Sequence, residues 1–149
     1  MTNTEYVARV IRYYSKNKPK LGTLEFDLMQ GRFIIKDQKG KPVSSYPGTG
    51  LHCGDVYIVQ NTDKSWHIAQ CELVEYMWKM VGSDITDESE PTGVIYVPHD
   101  RLMRFADFWV DDTWKLGALS NEFINMLLRK ETRIPCRRQG ILHLFGINT

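Results

Sequence analysis

The run His52-Cys53-Gly54-Asp55 sets an imidazole beside a thiol, with a carboxylate two positions on. A thiol deprotonated by a neighbouring base can attack a substrate and form a covalent intermediate, which makes Cys53 the candidate centre of a thiol enzyme. Two considerations weigh against this. Adjacent residues on a strand point to opposite faces, so His52 and Cys53 need not meet. Catalytic cysteines also find their histidine across the fold rather than next door. A turn into a strand accounts for the same residues, with Gly54 supplying backbone freedom and Asp55 bonding nearby amides. The expectation is a protein that is not an enzyme, with no catalytic residue assigned.

His67, Cys71 and Glu72 could join His52 and Cys53 around a metal ion. Zinc sites draw about four ligands from close-spaced pairs, and this chain has none of those short spacings, so neither metal nor cofactor is expected. Asp84, Asp87, Glu88 and Glu90 lack the Asp-x-Asp-x-Asp-Gly loop and distal bidentate glutamate of a calcium site, and read as a solvated acidic loop. No GxGxxG, P-loop or GxSxG motif is present.

Two candidate contact surfaces remain. The first is acidic and aromatic: Phe105, Phe108, Trp109, Asp111, Asp112 and Trp114 fall within ten residues. Aromatic anchors ringed by charge resemble a protein-binding hot spot, while two tryptophans closing the core beneath a polar turn would give the same sequence. The second is basic. Arg9, Arg12, Lys16, Lys18 and Lys20 lie near the start, and Arg129, Lys130, Arg133, Arg137 and Arg138 near the end, with Tyr13 and Tyr14 interleaved. Cations with aromatics suit phosphates and unstacked bases; a solvated face, the reading favoured by a near-neutral whole chain, accounts for the same residues.

Charge is laid out in three zones: +5 over residues 1–42, −8 over 43–128 and +4 over 129–149, for a net +1. The basic ends either form a surface of their own or pack against the acidic middle and cancel it. Three cysteines, Cys53, Cys71 and Cys136, with no CxxC, read as reduced thiols of a cytoplasmic protein. No signal-peptide pattern opens the chain and no apolar run approaches the ~18 residues of a membrane span.

The elements that would position these groups follow from periodicity. In residues 4–16, Val7, Val10, Ile11 and Tyr14 recur at helical spacing, while Arg9, Arg12, Tyr13 and Lys16 fall on another face. A strand is the rival, since Tyr, Val and Ile favour sheets. Residues 23–36 alternate as a hairpin about Met29-Gln30-Gly31, and 37–41 form a polar turn. A strand is expected over 55–59, then two strands or one bent strand over 66–73 and 76–81. Residues 83–92, with four acids and little to bury, suggest an insertion or mobile loop. A short strand over 94–97 precedes a helix to about Trp109, a second helix from about Asn121 to Lys130 with Ser120 as N-cap, and a hairpin over 134–145.

Leu51, His52, Cys53, Gly54 and Asp55, the strand from Val56 to Val59, then Trp66, Glu72, Trp78, Val81 and Gly82, resemble a family of small bacterial and phage β-domains of unknown function. Gly22-Thr23-Leu24 and Gly31-Arg32-Phe33 resemble its opening hairpin, so the likeness covers about residues 22–82, departing at Lys79-Met80 where the family pattern has Tyr-Leu. The resemblance implies a small β-barrel-like module carried on mobile elements, and no activity. The expected fold is a single α+β domain over 1–149: a small antiparallel barrel-like or coiled sheet with its core in 22–82, an N-terminal helix, and one or two C-terminal helices within a mixed helix and hairpin region over 93–149. The expected function is occlusion of a host protein, an acidic surface competing for the basic cleft of a nucleic-acid-handling complex. Nucleic-acid binding through the basic ends is the alternative.

Overall fold

In the computed structural model, residues 2–43, 50–98 and 117–129 are described. The first element is helix α1 (Asn3–Lys16). Thr2 caps it: its hydroxyl accepts from the Glu5 amide at 3.1 Å, and Glu5 accepts from the Thr2 amide at 3.0 Å. This reciprocal box satisfies two donors that a helix start leaves open. With a 3.6-residue apolar repeat behind it, it decides the element against the sheet preference of Tyr, Val and Ile. Tyr6, Val7, Val10, Ile11 and Tyr14 are buried, and Arg9, Arg12 and Lys16 are exposed. Lys18, at φ 42°, and Pro19 end the helix.

Seven strands follow: β1 (Lys20–Asp27), β2 (Arg32–Lys36), β3 (Pro42–Val43), β4 (Val56–Gln60), β5 (Trp66–Val74), β6 (Met77–Val81) and β7 (Thr92–Tyr96). They form one antiparallel sheet in the order β3-β2-β1-β7-β4-β5-β6. Residues 66–81 are thus two strands, not one bent strand. The last strand in sequence lies at the centre, between β1 and β4, and joins two hairpin units that alternation alone leaves separate. No ladder among the described residues pairs edge β3 with edge β6, so the sheet is open rather than a closed barrel. Residues 50–55 instead link its two halves through backbone hydrogen bonds. The Leu51 amide donates to Phe33 O in β2, while Gly54 donates to Cys71 O and Cys71 to Asp55 O beside β5, each at 2.8 Å.

Alternation divides the sheet side chains between two cores. On one face Val56, Ile58, Ile68, Val81 and Ile95 meet α1 and a second helix, α2 (Asn121–Leu128), through Phe123, Ile124 and Leu127. On the other, Leu24, Phe33, Ile35, Tyr57, Val59, Ala69, Cys71, Met80 and Val94 pack on one another with Leu51 and Ile85. Gly22 marks the tight passage: a Cβ there would stand 2.6 Å from Lys36 O.

The acidic segment is held in place. Ile85 is buried, the Asp84 carboxylate accepts from the Thr62 amide at 3.0 Å and from its hydroxyl at 2.6 Å, and Asp87 accepts from the Trp78 amide at 3.0 Å. Two of its four acids, Asp84 and Asp87, thus serve as hydrogen-bond acceptors, a role that composition does not reveal. Helix α2 starts where Ser120 accepts from the Phe123 amide at 3.0 Å and stops at Leu128, with Arg129 as its C-cap. The helix read over 99–109 and the hairpin over 134–145 lie outside the described residues. Among the described residues no helix is long and apolar enough to cross a membrane.

Candidate contact surface

The 52–55 turn carries the thiol chemistry considered above. Asp55 accepts from the His52 amide at 2.8 Å and holds the turn, and Gly54 takes φ 93°. Cys53 is exposed. His52 Nδ1 lies 3.0 Å from Arg32 Nη1, which also donates to Leu51 O at 3.3 Å. A guanidinium has only donors, so Nδ1 is the acceptor and a neutral imidazole carries its proton on Nε2. Held this way, His52 has no nitrogen with which to take a proton from Cys53. Cys71 is buried on the inner core, and burial together with the Asp55 carboxylate pushes its thiol well above the ordinary range.

The five residues weighed as metal ligands are not brought together. His67 and Cys71 share a face of β5 but stand four residues apart, about 13 Å along a strand. No group of three or more His, Cys, Asp or Glu among the described residues could hold a metal ion. His67 belongs instead to a turn network. Its Nε2 lies 2.8 Å from Ser65 Oγ, and that hydroxyl donates to the Asp63 carboxylate. Ser65 has one proton and gives it to Asp63, so His67 donates to Ser65. The order is the reverse of an activated serine. Burial lowers the His67 pKa, against the opposing pull of Asp63 and Asp84, and the Ser65 hydrogen bonds lower that of Asp63.

Of the basic group, Arg9, Arg12 and Lys16 line the outer side of α1, with Lys18 and Lys20 exposed beyond it, and Arg129 is exposed at the end of α2. Both helices cover the same sheet face. Tyr13 packs edge-on to Tyr14, with centroids 5.9 Å apart, and lies half-buried against the core rather than displayed as a stacking platform. Lys130, Arg133, Arg137 and Arg138 lie outside the described residues, as do Phe105, Phe108, Trp109, Asp111, Asp112 and Trp114 of the acidic-aromatic group.

A different set of side chains stands out. Leu28 is 85% exposed and Met29 97% in the β1–β2 turn, while Leu73 is 50% and Tyr76 100% exposed around the β5–β6 turn. Below these, Phe26 and Trp78, one from each hairpin, are half-buried against the same inner core. The Arg32–His52 contact and the pairing of Gly54 and Asp55 with Cys71 tie the first hairpin to the last. The β1–β2 turn is firmly made. Asp27 accepts from the Met29 amide at 3.0 Å and the Gln30 side chain at 2.8 Å, and Gly31 takes φ 67°. Sequence reading passes over these residues because apolar side chains within a turn resemble the ends of buried strands. The available signal was turn chemistry: Glu75-Tyr76 joins two strands with neither Gly nor Asn.

No family model, curated protein or solved structure matches the chain.

Proposed function

We propose that this chain is a non-enzymatic binding protein that occludes a host protein, of the kind carried by phages and other mobile elements. The observation that supports it best is the display of Leu28, Met29, Leu73 and Tyr76 at two hydrogen-bonded hairpin turns. Large apolar side chains fixed in water at ordered positions reach a partner without paying for loop ordering, and hot spots favour such aromatic anchors. Phe105, Phe108, Trp109, Asp111, Asp112 and Trp114 extend the same reading, and a barrel-like module is the scaffold it implies. A nucleic-acid-handling complex is the host target that the acidic middle of the chain would suit.

The test is affinity capture from host lysate with and without nuclease, at low and high salt. The wild type is compared with Leu28→Ser/Met29→Ser, Tyr76→Ser and Trp109→Ala/Trp114→Ala. A protein retained through nuclease and high salt, and lost from at least one folded variant, is the expected result. Retention by every variant would refute it.

A second reading, nucleic-acid binding, is favoured by one observation: Arg9, Arg12 and Lys16 are exposed along one side of α1, with Lys18 and Lys20 beyond. Disappearance of all bound material on nuclease treatment would put it first.

A further inference from the structure

The β5–β6 turn departs from the chemistry its geometry demands. Val74 pairs with Met77 across the ladder, so Glu75 and Tyr76 are the two central residues of a tight hairpin. Both lie in the left-handed region, with φ 51° and 67°. Two-residue turns of this hand fit the sheet twist and are built from Asn-Gly, Asp-Gly or Gly-Gly, because a Cβ at positive φ meets the backbone. Elsewhere the chain observes the rule, with Gly31, Gly40, Gly54 and Gly82 all at positive φ. Lys18 and Lys64 are single exceptions. Residues 75 and 76 are the one consecutive pair among the described non-glycine residues. Moreover, Tyr76 is 100% exposed, so its side chain gains no burial among the described residues to offset the strain. Strain retained at a displayed side chain points outward, to something the side chain does for function.

We propose that Tyr76 is an anchor that the strained turn holds out to a partner protein, whose binding site is an apolar pocket rimmed by Lys or Arg. This rests on the binding-protein reading and narrows it to one tip. The chemistry around Tyr76 selects the partner. Leu73 adds apolar surface near it, and Glu75 sets an exposed carboxylate next to the ring, while Glu72, four residues back, stands opposite Lys79, whose ammonium offsets it. Such a tip repels phosphates and suits a cationic rim. A tyrosine brings large contact area at the entropic cost of two side-chain torsions, and a turn already set in place removes the cost of ordering the backbone.

The experiment has two arms. In the first, a benzophenone side chain replaces Tyr76 in one preparation and Met29 in another, and each is irradiated in host lysate. The expected result is an adduct from position 76 to a foreign protein, at a peptide with Lys or Arg beside apolar residues. It should be competed away by excess wild type but not by Tyr76→Ala. Adducts from position 29 alone would overturn the Tyr76 anchor and leave the binding-protein reading standing. Adducts from position 76 to nucleic acid or to a second copy of this chain would overturn the proposed partner, and no adduct from either position would overturn the Tyr76 anchor, the binding-protein reading being decided separately by capture with the folded variants. In the second arm, Glu75→Asn/Tyr76→Gly should raise the melting temperature by roughly 5 °C, while Tyr76→Ala, which keeps the left-handed strain, leaves it near the wild-type value. An unchanged or lower melting temperature for the double variant would overturn the strained-turn argument.

Discussion

Arg32, at the start of β2, donates to His52 Nδ1 over 3.0 Å, and the imidazole next to Cys53 is thereby occupied by a group with no lone pair to offer. The contact does structural work as well. It fastens the first hairpin to the turn that leads into β4, and it withdraws from Cys53 the base that a thiol enzyme would need.

Thiol reactivity should follow this geometry. Cys53 is exposed and Cys71 is buried. In the folded protein iodoacetamide should modify Cys53 and leave Cys71 protected, with Cys71 labelled only on unfolding, because burial pushes its thiol up and blocks access. His52→Ala should alter the Cys53 labelling rate by less than about twofold, since the imidazole is not its base. Peptide mapping by mass spectrometry reads both outcomes. A steep loss of Cys53 reactivity in His52→Ala would restore the thiol-enzyme reading.

Stability should fall with pH in two windows, both set near the β4–β5 turn. Burial lowers the His67 pKa from its ordinary 6.5, so the unfolded chain takes up that proton first as pH falls. This contribution is therefore complete above about pH 6.5 and declines below it, until the folded protein also protonates. The Asp63 pKa is lowered from 3.8 by the Ser65 hydrogen bonds, so its contribution holds above that pH and is lost as pH falls further. Urea midpoints between pH 8 and 3 should show both declines in the wild type and only the lower one in His67→Gln. Parallel curves for the two proteins would count against the buried-imidazole account.

The join between 50–55 and β2 should be intolerant of a methyl group. A Cβ on Gly50 would stand 2.3 Å from Phe33 O, the same carbonyl that accepts from the Leu51 amide at 2.8 Å. That carbonyl belongs to the backbone and cannot swing aside. Gly50→Ala should cost about 3 kcal/mol, in the range of core overpacking and backbone clashes. Gly40, at φ 81°, has open space around it, and Gly40→Ala should cost about 1 kcal/mol from the left-handed backbone alone. Urea unfolding of the two variants compares them. Equal costs would mean that the fold does not depend on this close approach.

How far the sequence discloses this molecule depends on the range of the interactions involved. Helix α1 and most of the strands are legible because Val7, Val10, Ile11 and Tyr14, or Leu24 and Phe26, repeat at the period of their element, and Ser120 announces α2 locally. The place of β7 is not legible, because Ile95 pairs with Leu21 and Ile58 across gaps of 74 and 37 residues that no local pattern encodes. The link between the two halves of the sheet is hidden for the same reason, resting on backbone hydrogen bonds from Leu51 to Phe33 and between residues 54–55 and Cys71. At the candidate surface, the exposed cations of α1 follow from helical spacing, whereas Tyr76 becomes conspicuous only once its φ and exposure are known. Asp84 and Asp87 show the limit of composition: the same carboxylates that suggest a solvated loop serve as acceptors that fix it.

The last prediction concerns the exposed side of α1, where the two functional readings diverge in magnitude. Suppose Arg9, Arg12 and Lys16 each neutralise one phosphate. Affinity for a single strand should then fall with salt at a logarithmic slope of about −2, roughly 16-fold between 50 and 200 mM. If these cations only solvate the helix that covers the outer core, the response should be nearly flat. Fluorescence anisotropy with a labelled 20-nucleotide strand measures it directly. We expect weak binding that changes less than about threefold over that range, together with unchanged partner capture by Arg9→Glu/Arg12→Glu/Lys16→Glu. Because Val7, Val10, Ile11 and Tyr14 hold α1 from its buried side, the charge reversals leave the fold intact. A 16-fold salt response abolished by the triple variant would transfer the function to this helix and reduce the hairpin turns to ornament of the fold.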